Sequence, residues 1–399
     1  MATGSRRRAL TIGPVSTEKN ILSMTCGEYA AAAKARAEHG GAVISAQRYS
    51  KLFRTGEWPG PGTVESFVAP VNRTHTSESD EGTVLKFTQV VNAAQDGRPA
   101  LEVESVLIPM IGKKRTRSYT LCVSSQVGCA MGCGFCQTAQ MGLIRSLSAA
   151  EIVGQWFAAE HLVPRPDPAA PIRNIVFMGM GEPMDNLTEV LAAIEVLTDT
   201  RGAGVAMSRI TISTVGRIDG ITKLAKRIAD PGWHRLALAV SLNAPSDEVR
   251  SRLMPVNRSM PMADLRQALV NWPFYSGVHL CLEYVLIPGQ NDTLPQADEL
   301  AAFVLGAQAG PDWSSNVRRF DGPALRGLIN LIPYNPRDNS PWPAPTEESV
   351  DAFMQRLKSR GVYVKRRRTK GRDTMAACGQ LGNSQIRRAS LRVLSSPAR

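Results

Sequence analysis

The chain has 399 residues, 43% hydrophobic and 21% charged, with a net charge of +12. This length suits two domains or one large α/β barrel with an appendage, and the balance excludes fibrous and wholly disordered classes. No apolar run reaches the roughly 18 residues of a membrane span, and no apolar segment follows Arg6-Arg7-Arg8 as in an export signal, so a soluble cytoplasmic protein without membrane contact is expected.

Residues 1–94 are expected to form a small, mainly helical accessory unit. Cys26–Glu38 and Ala46–Arg54 have short amphipathic patterns, whereas Pro59–Gly62 and Thr74–Gly82 read as polar connectors. From Leu101 the pattern becomes short apolar strands alternating with helices. The strands are Thr120–Ser124, Asn174–Met178, Arg209–Ser213, Leu236–Leu242, His279–Ile287 and Leu328–Ile332. The helices are Ala149–His161, Leu187–Thr200, Ile221–Ala229, Met262–Val270, Leu294–Leu305 and Glu347–Arg360, the first opened by Ser148 and Glu151 at capping-box spacing. Six βα units imply a parallel sheet with right-handed crossovers over 95–375, either doubly wound or curled into an incomplete (β/α)6 barrel of the TIM type. The unusual residues cluster at the C-terminal ends of these strands, where parallel α/β folds place their sites. Pro333–Pro345 is expected to loop over that rim, and residues 376–399 form a separate C-terminal segment.

From Lys358 to Arg399 there are twelve Lys and Arg against the single acid Asp373, so this stretch carries +11 of the net charge. Its centre is Lys365–Arg372. Such a segment points to a polyanion, RNA or DNA first, or else to a solubilising tail.

Seven cysteines, an odd number in a chain expected in a reducing compartment, argue for metal or catalysis rather than a disulfide framework. Cys129, Cys133 and Cys136 have the spacing C-x3-C-x2-C in a glycine-containing loop after the first strand. Three thiolates so placed suit a [4Fe–4S] cube whose fourth iron lacks a protein ligand and is free to bind something else. Structural zinc is the competing reading, and it would need a fourth ligand such as Cys122.

This motif at this place resembles the radical S-adenosylmethionine (SAM) superfamily. The resemblance implies that the open iron chelates SAM and that reductive cleavage yields a 5′-deoxyadenosyl radical. Gly181 would then allow close approach and Glu182 would receive the SAM ammonium. Ser213, Ser241, Leu242 and Asn243 would meet its ribose or carboxylate, and Asn335 its adenine. The match narrows with Leu121–Gln140, Met178–Pro183, Ile212–Gly216, Ser241–Pro245, Arg252–Asn257, Leu286–Asp292, Pro333–Pro336 and Ala376–Leu381. In order from about Glu104 to Leu381, these segments resemble the RlmN/Cfr family of RNA adenosine methyltransferases.

The family resemblance implies roles for two further cysteines and one acid. Cys378 would take a methyl group from one SAM, and a radical made from a second would convert it to a methylene radical that adds to adenine. Glu104 would remove the ring proton. Cys122 would attack the sulfur of Cys378, release the methylated base and leave a disulfide for a cellular thiol to reduce. The implied partners are ribosomal RNA, with transfer RNA as a second substrate, a flavodoxin- or ferredoxin-like electron donor and a thiol reductant, and the implied state is a monomer. Gln126-Val127-Gly128 and Tyr334-Asn335-Pro336 favour methylation at carbon 2 over carbon 8. A methylthiotransferase would need a second cysteine cluster, which Cys26 alone does not supply. Cys281, between Leu280 and Leu282, is expected in the core. The sequence departs from the family pattern at Asn243, where His is usual, at Met375, where Asp is common, and in extra residues within Ile108–Leu121 and Gly306–Arg326.

Overall fold

A computed structural model of the chain describes residues 20–35, 41–59, 67–94, 99–112, 114–275, 280–309, 318, 320–337, 339–368, 370–371 and 375–383. Two helices, α1 (Cys26–Ala35) and α2 (Gly41–Thr55), precede four antiparallel strands: β1 (Val71–Ser77), β2 (Val84–Asn92), β3 (Leu101–Ile111) and β4 (Arg117–Cys122). The short strand β5 (Gln126–Val127), helix α3 (Gln137–Met141) and strand β6 (Arg145–Ser146) frame the cysteine loop. Then follow α4 (Ala149–His161), β7 (Ile172–Phe177), α5 (Leu187–Thr198), β8 (Ile210–Thr214), α6 (Ile218–Arg227) and β9 (Ala237–Ser241). The chain continues through α7 (Asp247–Leu253), α8 (Met262–Val270), β10 (Leu280–Leu286), α9 (Leu294–Leu305), β11 (Gly327–Pro333), α10 (Glu347–Ser359) and β12 (Val364–Arg366).

The main sheet has ten strands in the order β1-β2-β3-β4-β7-β8-β9-β10-β11-β12, and every neighbouring pair from β4 onward is parallel. The expected α/β architecture is present, with β1 and β12 as the edges among the described residues. Local chemistry explains the helix starts. Ser148 accepts from the Glu151 N–H while Glu151 accepts from the Ser148 N–H, and Thr293 and Gln296 repeat this exchange at α9.

The N-terminal helices dock on α4 through aromatic rings. Phe53 stacks on Trp156 with centroids 6.0 Å apart, and Tyr49, 4.6 Å from Phe53, donates to the Met24 carbonyl at 2.9 Å. Thr74–Gly82, expected as a connector, differs: residues 74–77 complete β1. Both faces of this edge strand are solvated and polar, so it carries no apolar alternation to betray it. The expected boundary at residue 94 thus falls between β2 and β3, which are hydrogen-bonded to each other.

Alternation along β10 sets up the interior. Leu280, Leu282 and Leu286 are buried, and Tyr284 stacks on Phe353 of α10 at 5.4 Å, while Cys281 and Glu283 face a cavity. Cys281 is therefore not a core residue as expected. Its neighbours take the helix side, and the period of two turns the cysteine inward.

Candidate active site

The cysteine loop is pinned from several sides. Gly128 has φ +75°, and a Cβ there would lie 1.9 Å from the Gly142 carbonyl oxygen, so only glycine lets the two strands of the loop approach. Gly134 donates to the Leu253 carbonyl at 3.0 Å, and Gln140 Nε2 donates to that of Cys133 at 3.3 Å. Cys129, Cys133 and Cys136 all line one cavity of about 130 Å³. Burial first, then for Cys133 the neighbouring Cys136 and Cys129, raises these thiols above their ordinary range. Three neighbouring sulfurs, those of the buried Cys129 and Cys133 and the half-buried Cys136, are a site for a cationic group that would hold them as thiolates. Among the described residues no three His, Cys, Asp or Glu converge closely enough for a single metal ion, whereas a cube gives each sulfur its own iron. Cys122, the fourth ligand a zinc site would need, lines a different cavity. The residues present fit an open cluster.

The rim motifs surround this cavity. Gly181 has φ +102°, and a Cβ there would stand 2.6 Å from that of Gln126. Glu182 is 1% exposed, accepts from the N–H groups of Met184 at 3.1 Å and Val215 at 2.9 Å, and lines the cavity. Burial outweighs those bonds and brings its carboxyl up to about 7. Ser213, Ser241, Asn243 and Asn335 line the same space. Leu242 does not: it is fully buried behind the wall, its N–H donating to the Glu283 carbonyl at 2.9 Å. Asn243 holds a left-handed φ of +54°, which Asn tolerates better than most residues, and its Oδ1 accepts from Val285 N–H at 2.9 Å. Its amide is thus engaged in joining the ends of β9 and β10.

A second cavity, of about 540 Å³, lies inside the sheet and contains Cys122, Cys281 and Glu283. Cys378 lines both cavities. Residues 379–381 are tied to the start of α3: Gln137 N–H donates to the Gly379 carbonyl at 2.7 Å and the Thr138 hydroxyl to that of Leu381 at 2.5 Å. Burial, with Cys378 as the next cause, pushes the Cys122 thiol up to about 12. Burial also raises Cys378, against the pull of Arg367.

Sequence reasoning missed Arg367, Glu283 and Arg250. Arg367 Nη1 lies 3.7 Å from Glu283 Oε1, and this guanidinium is held above its ordinary range by Cys378 foremost and by Glu283 and Cys122. Glu283 also accepts from the Ser213 hydroxyl at 3.3 Å. A lone acid in the apolar strand Leu280–Leu286 is the signal that would have found it. Arg250, fully buried, donates to the carbonyls of Leu242 at 3.1 Å and Val215 at 2.5 Å and so joins the ends of β8 and β9. Arg367 was hidden in the basic run. Two members of that run are committed inward, Arg367 to the buried Glu283 and Lys370 to Glu81 at 3.0 Å, whereas Arg366 pairs with the exposed Glu347. Arg367 and Lys370 are therefore not free for a polyanion, and the basic residues beyond 383 lie outside the described residues.

Glu104 sits on β3 two residues before Val106, which pairs with Cys122 across β4, so the two share a face. Its Oε2 is buried without a hydrogen bond.

The radical SAM superfamily model matches residues 123–301. The chain is 42% identical over 289 residues to the probable dual-specificity RNA methyltransferase RlmN 1 of Protochlamydia amoebophila, covering 72% of each protein. It is 40% identical over 290 residues to the dual-specificity RNA methyltransferase RlmN of Lawsonia intracellularis, covering 72% of this chain and 74% of that one. The chain belongs to the RlmN family of radical SAM enzymes. It is a radical SAM-dependent RNA methyltransferase, and the family implies a [4Fe–4S] cluster and SAM. A crystal structure of a radical SAM methyltransferase from Sphaerobacter thermophilus superposes with a TM-score of 0.75 at 31% identity, covering 91% of this chain and 99% of that one. No helix among the described residues of this RlmN-family chain is long and apolar enough to cross a membrane.

Proposed function

We propose that this RlmN-family enzyme methylates carbon 2 of an adenosine in ribosomal RNA, and in transfer RNA as a second substrate, through an S-methylcysteine at Cys378. The observation that carries the proposal is that Cys378 lines both the cavity of Cys129, Cys133 and Cys136 and the cavity of Cys122. Cys129, Cys133 and Cys136 are the residues that would hold the cluster, and Glu182, Ser213, Ser241, Asn243 and Asn335 line the place where SAM would lie. Bound there, cluster and SAM together supply a hydrogen-abstracting radical.

Cys378 accepts a methyl group from one SAM and, in a second event, gives up a hydrogen from it. The methylene radical on Cys378 adds to the electron-poor amidine carbon of adenine, which is not nucleophilic and so resists ordinary methyl transfer. Once the adduct has passed its unpaired electron back to the oxidised flavodoxin- or ferredoxin-like donor, Glu104 takes the ring proton. Cys122 then attacks the Cys378 sulfur: an S–S bond forms, the S–C bond breaks, and the carbon takes a proton to become the methyl group. Two SAM are consumed per turnover, and a thiol reductant restores both cysteines. The enzyme acts as a monomer with a flavodoxin- or ferredoxin-like donor. The N-terminal helices and the basic residues after 383 would grip the RNA.

The test is mass spectrometry of nucleosides from ribosomal and transfer RNA incubated with reconstituted enzyme, SAM and reductant. 2-Methyladenosine is expected. 8-Methyladenosine would overturn the position, and unmodified RNA beside active SAM cleavage would overturn the activity.

A further inference from the structure

Lys86 on β2 is 8% exposed and spans two elements. Its Nζ lies 3.5 Å from Glu104 Oε2 on β3 and donates at 3.3 Å to the carbonyl of Met375, three residues before Cys378. Register explains the reach. Thr88 pairs with Glu104, Lys86 with Val106, and Val106 in turn with Cys122, so Lys86, Glu104 and Cys122 share one face of the sheet. A buried ammonium is costly unless paired and hydrogen-bonded, and Glu104 and Met375 together meet that need. The Glu104 Oε2 facing it still lacks a hydrogen bond and so remains open to a proton donor. Met375 holds a left-handed φ of +51°, a strained conformation for a non-glycine residue, and the lysine contact helps to hold it.

We propose that Lys86 is a positioning residue that couples the base to the methyl-carrying loop, one ammonium holding the Glu104 carboxylate and the Met375 carbonyl in a single arrangement beside Cys378. The inference rests on the proposed roles of Glu104 and Cys378. Without Lys86, Glu104 is free to turn from the adduct, and the ring proton leaves more slowly than the adduct forms.

The experiment compares full-length Lys86→Met, Lys86→Arg and Glu104→Gln with wild type under turnover with RNA. It reads cluster content, S-methylation of Cys378, RNA covalently bound to Cys378, and methylated product. Lys86→Met is expected to keep the cluster and the S-methyl group, accumulate the covalent adduct and make at least tenfold less product. Lys86→Arg, which can span both acceptors, should restore most of the turnover. Product within twofold of wild type for Lys86→Met, or a loss of product without adduct and without rescue by Arg, would overturn the inference. Lys86→Gln gives the same comparison if Lys86→Met does not fold. Should Glu104→Gln trap no adduct and turn over normally, the base assignment itself falls; if it traps adduct and the Lys86 variants match wild type, only the coupling falls.

Discussion

The backbone N–H of Gln137 donates to the carbonyl of Gly379 at 2.7 Å, which joins the residue after Cys136 to the residue after Cys378. Two segments more than two hundred residues apart in sequence are thereby held in one register, and the Thr138 hydroxyl adds a second tie to Leu381. The position of Cys378 between two cavities follows from these bonds.

Thr138→Val tests the tie. It keeps the shape of the side chain but leaves the Leu381 carbonyl unpaired, a loss of about 1–3 kcal/mol for a buried group. Cluster content should be unchanged while S-methylation of Cys378 slows several-fold, measured by mass spectrometry of the peptide. Equal slowing in cluster assembly would show that the hydroxyl serves the cysteine loop instead.

Gly181→Ala should be severe. The new Cβ would meet that of Gln126 at 2.6 Å, and φ +102° disfavours any side chain. Strained overpacking of this kind costs about 1–3 kcal/mol. A lowered unfolding midpoint with SAM binding lost is the expected outcome, checked by denaturant titration and equilibrium dialysis. An alanine variant that binds SAM normally would show that the loop yields without cost.

Glu182 gives the pH dependence. Its folded carboxyl is raised from 4.5 to about 7, so the stability of its protonated form is present below 4.5 and is lost as pH rises through about 7. The apoprotein should therefore weaken over that window, and Glu182→Gln should flatten the slope. SAM, whose ammonium needs the anion, should bind more tightly to the reconstituted enzyme as pH rises from 6 to 8. A flat profile in wild type would remove Glu182 from SAM binding.

Sequence order made the βα units legible because each strand is short and apolar and helices such as α4 and α9 start at a recognisable cap. Helices α4, α8 and α9 begin and end where the pattern placed them. The cysteine spacing and the rim motifs were legible for the same reason, being local. The interior was less so. Cys281 and Glu283 face inward only because β10 alternates, and Arg367 looks like its basic neighbours until Glu283 is found 3.7 Å away. β1 escaped notice because a doubly solvated edge needs no apolar residues.

Four cations, Arg387, Arg388, Arg392 and Arg399, follow Asn383, whereas Arg367 and Lys370 are committed inward. Ending the chain at Asn383 should weaken RNA binding with a reduced salt slope and leave SAM cleavage unchanged. An unaltered salt slope in filter binding would show that the tail is no electrostatic clamp.

The most direct test of the account is Cys122→Ala, expressed with iron and sulfide supply and examined by mass spectrometry and RNA sequencing for nucleic acid bound to Cys378. With the resolving thiolate gone, a covalent RNA adduct at Cys378 is expected, and it identifies the substrate adenosine. Cluster-loaded Cys122→Ala that releases methylated RNA and carries no adduct would contradict it.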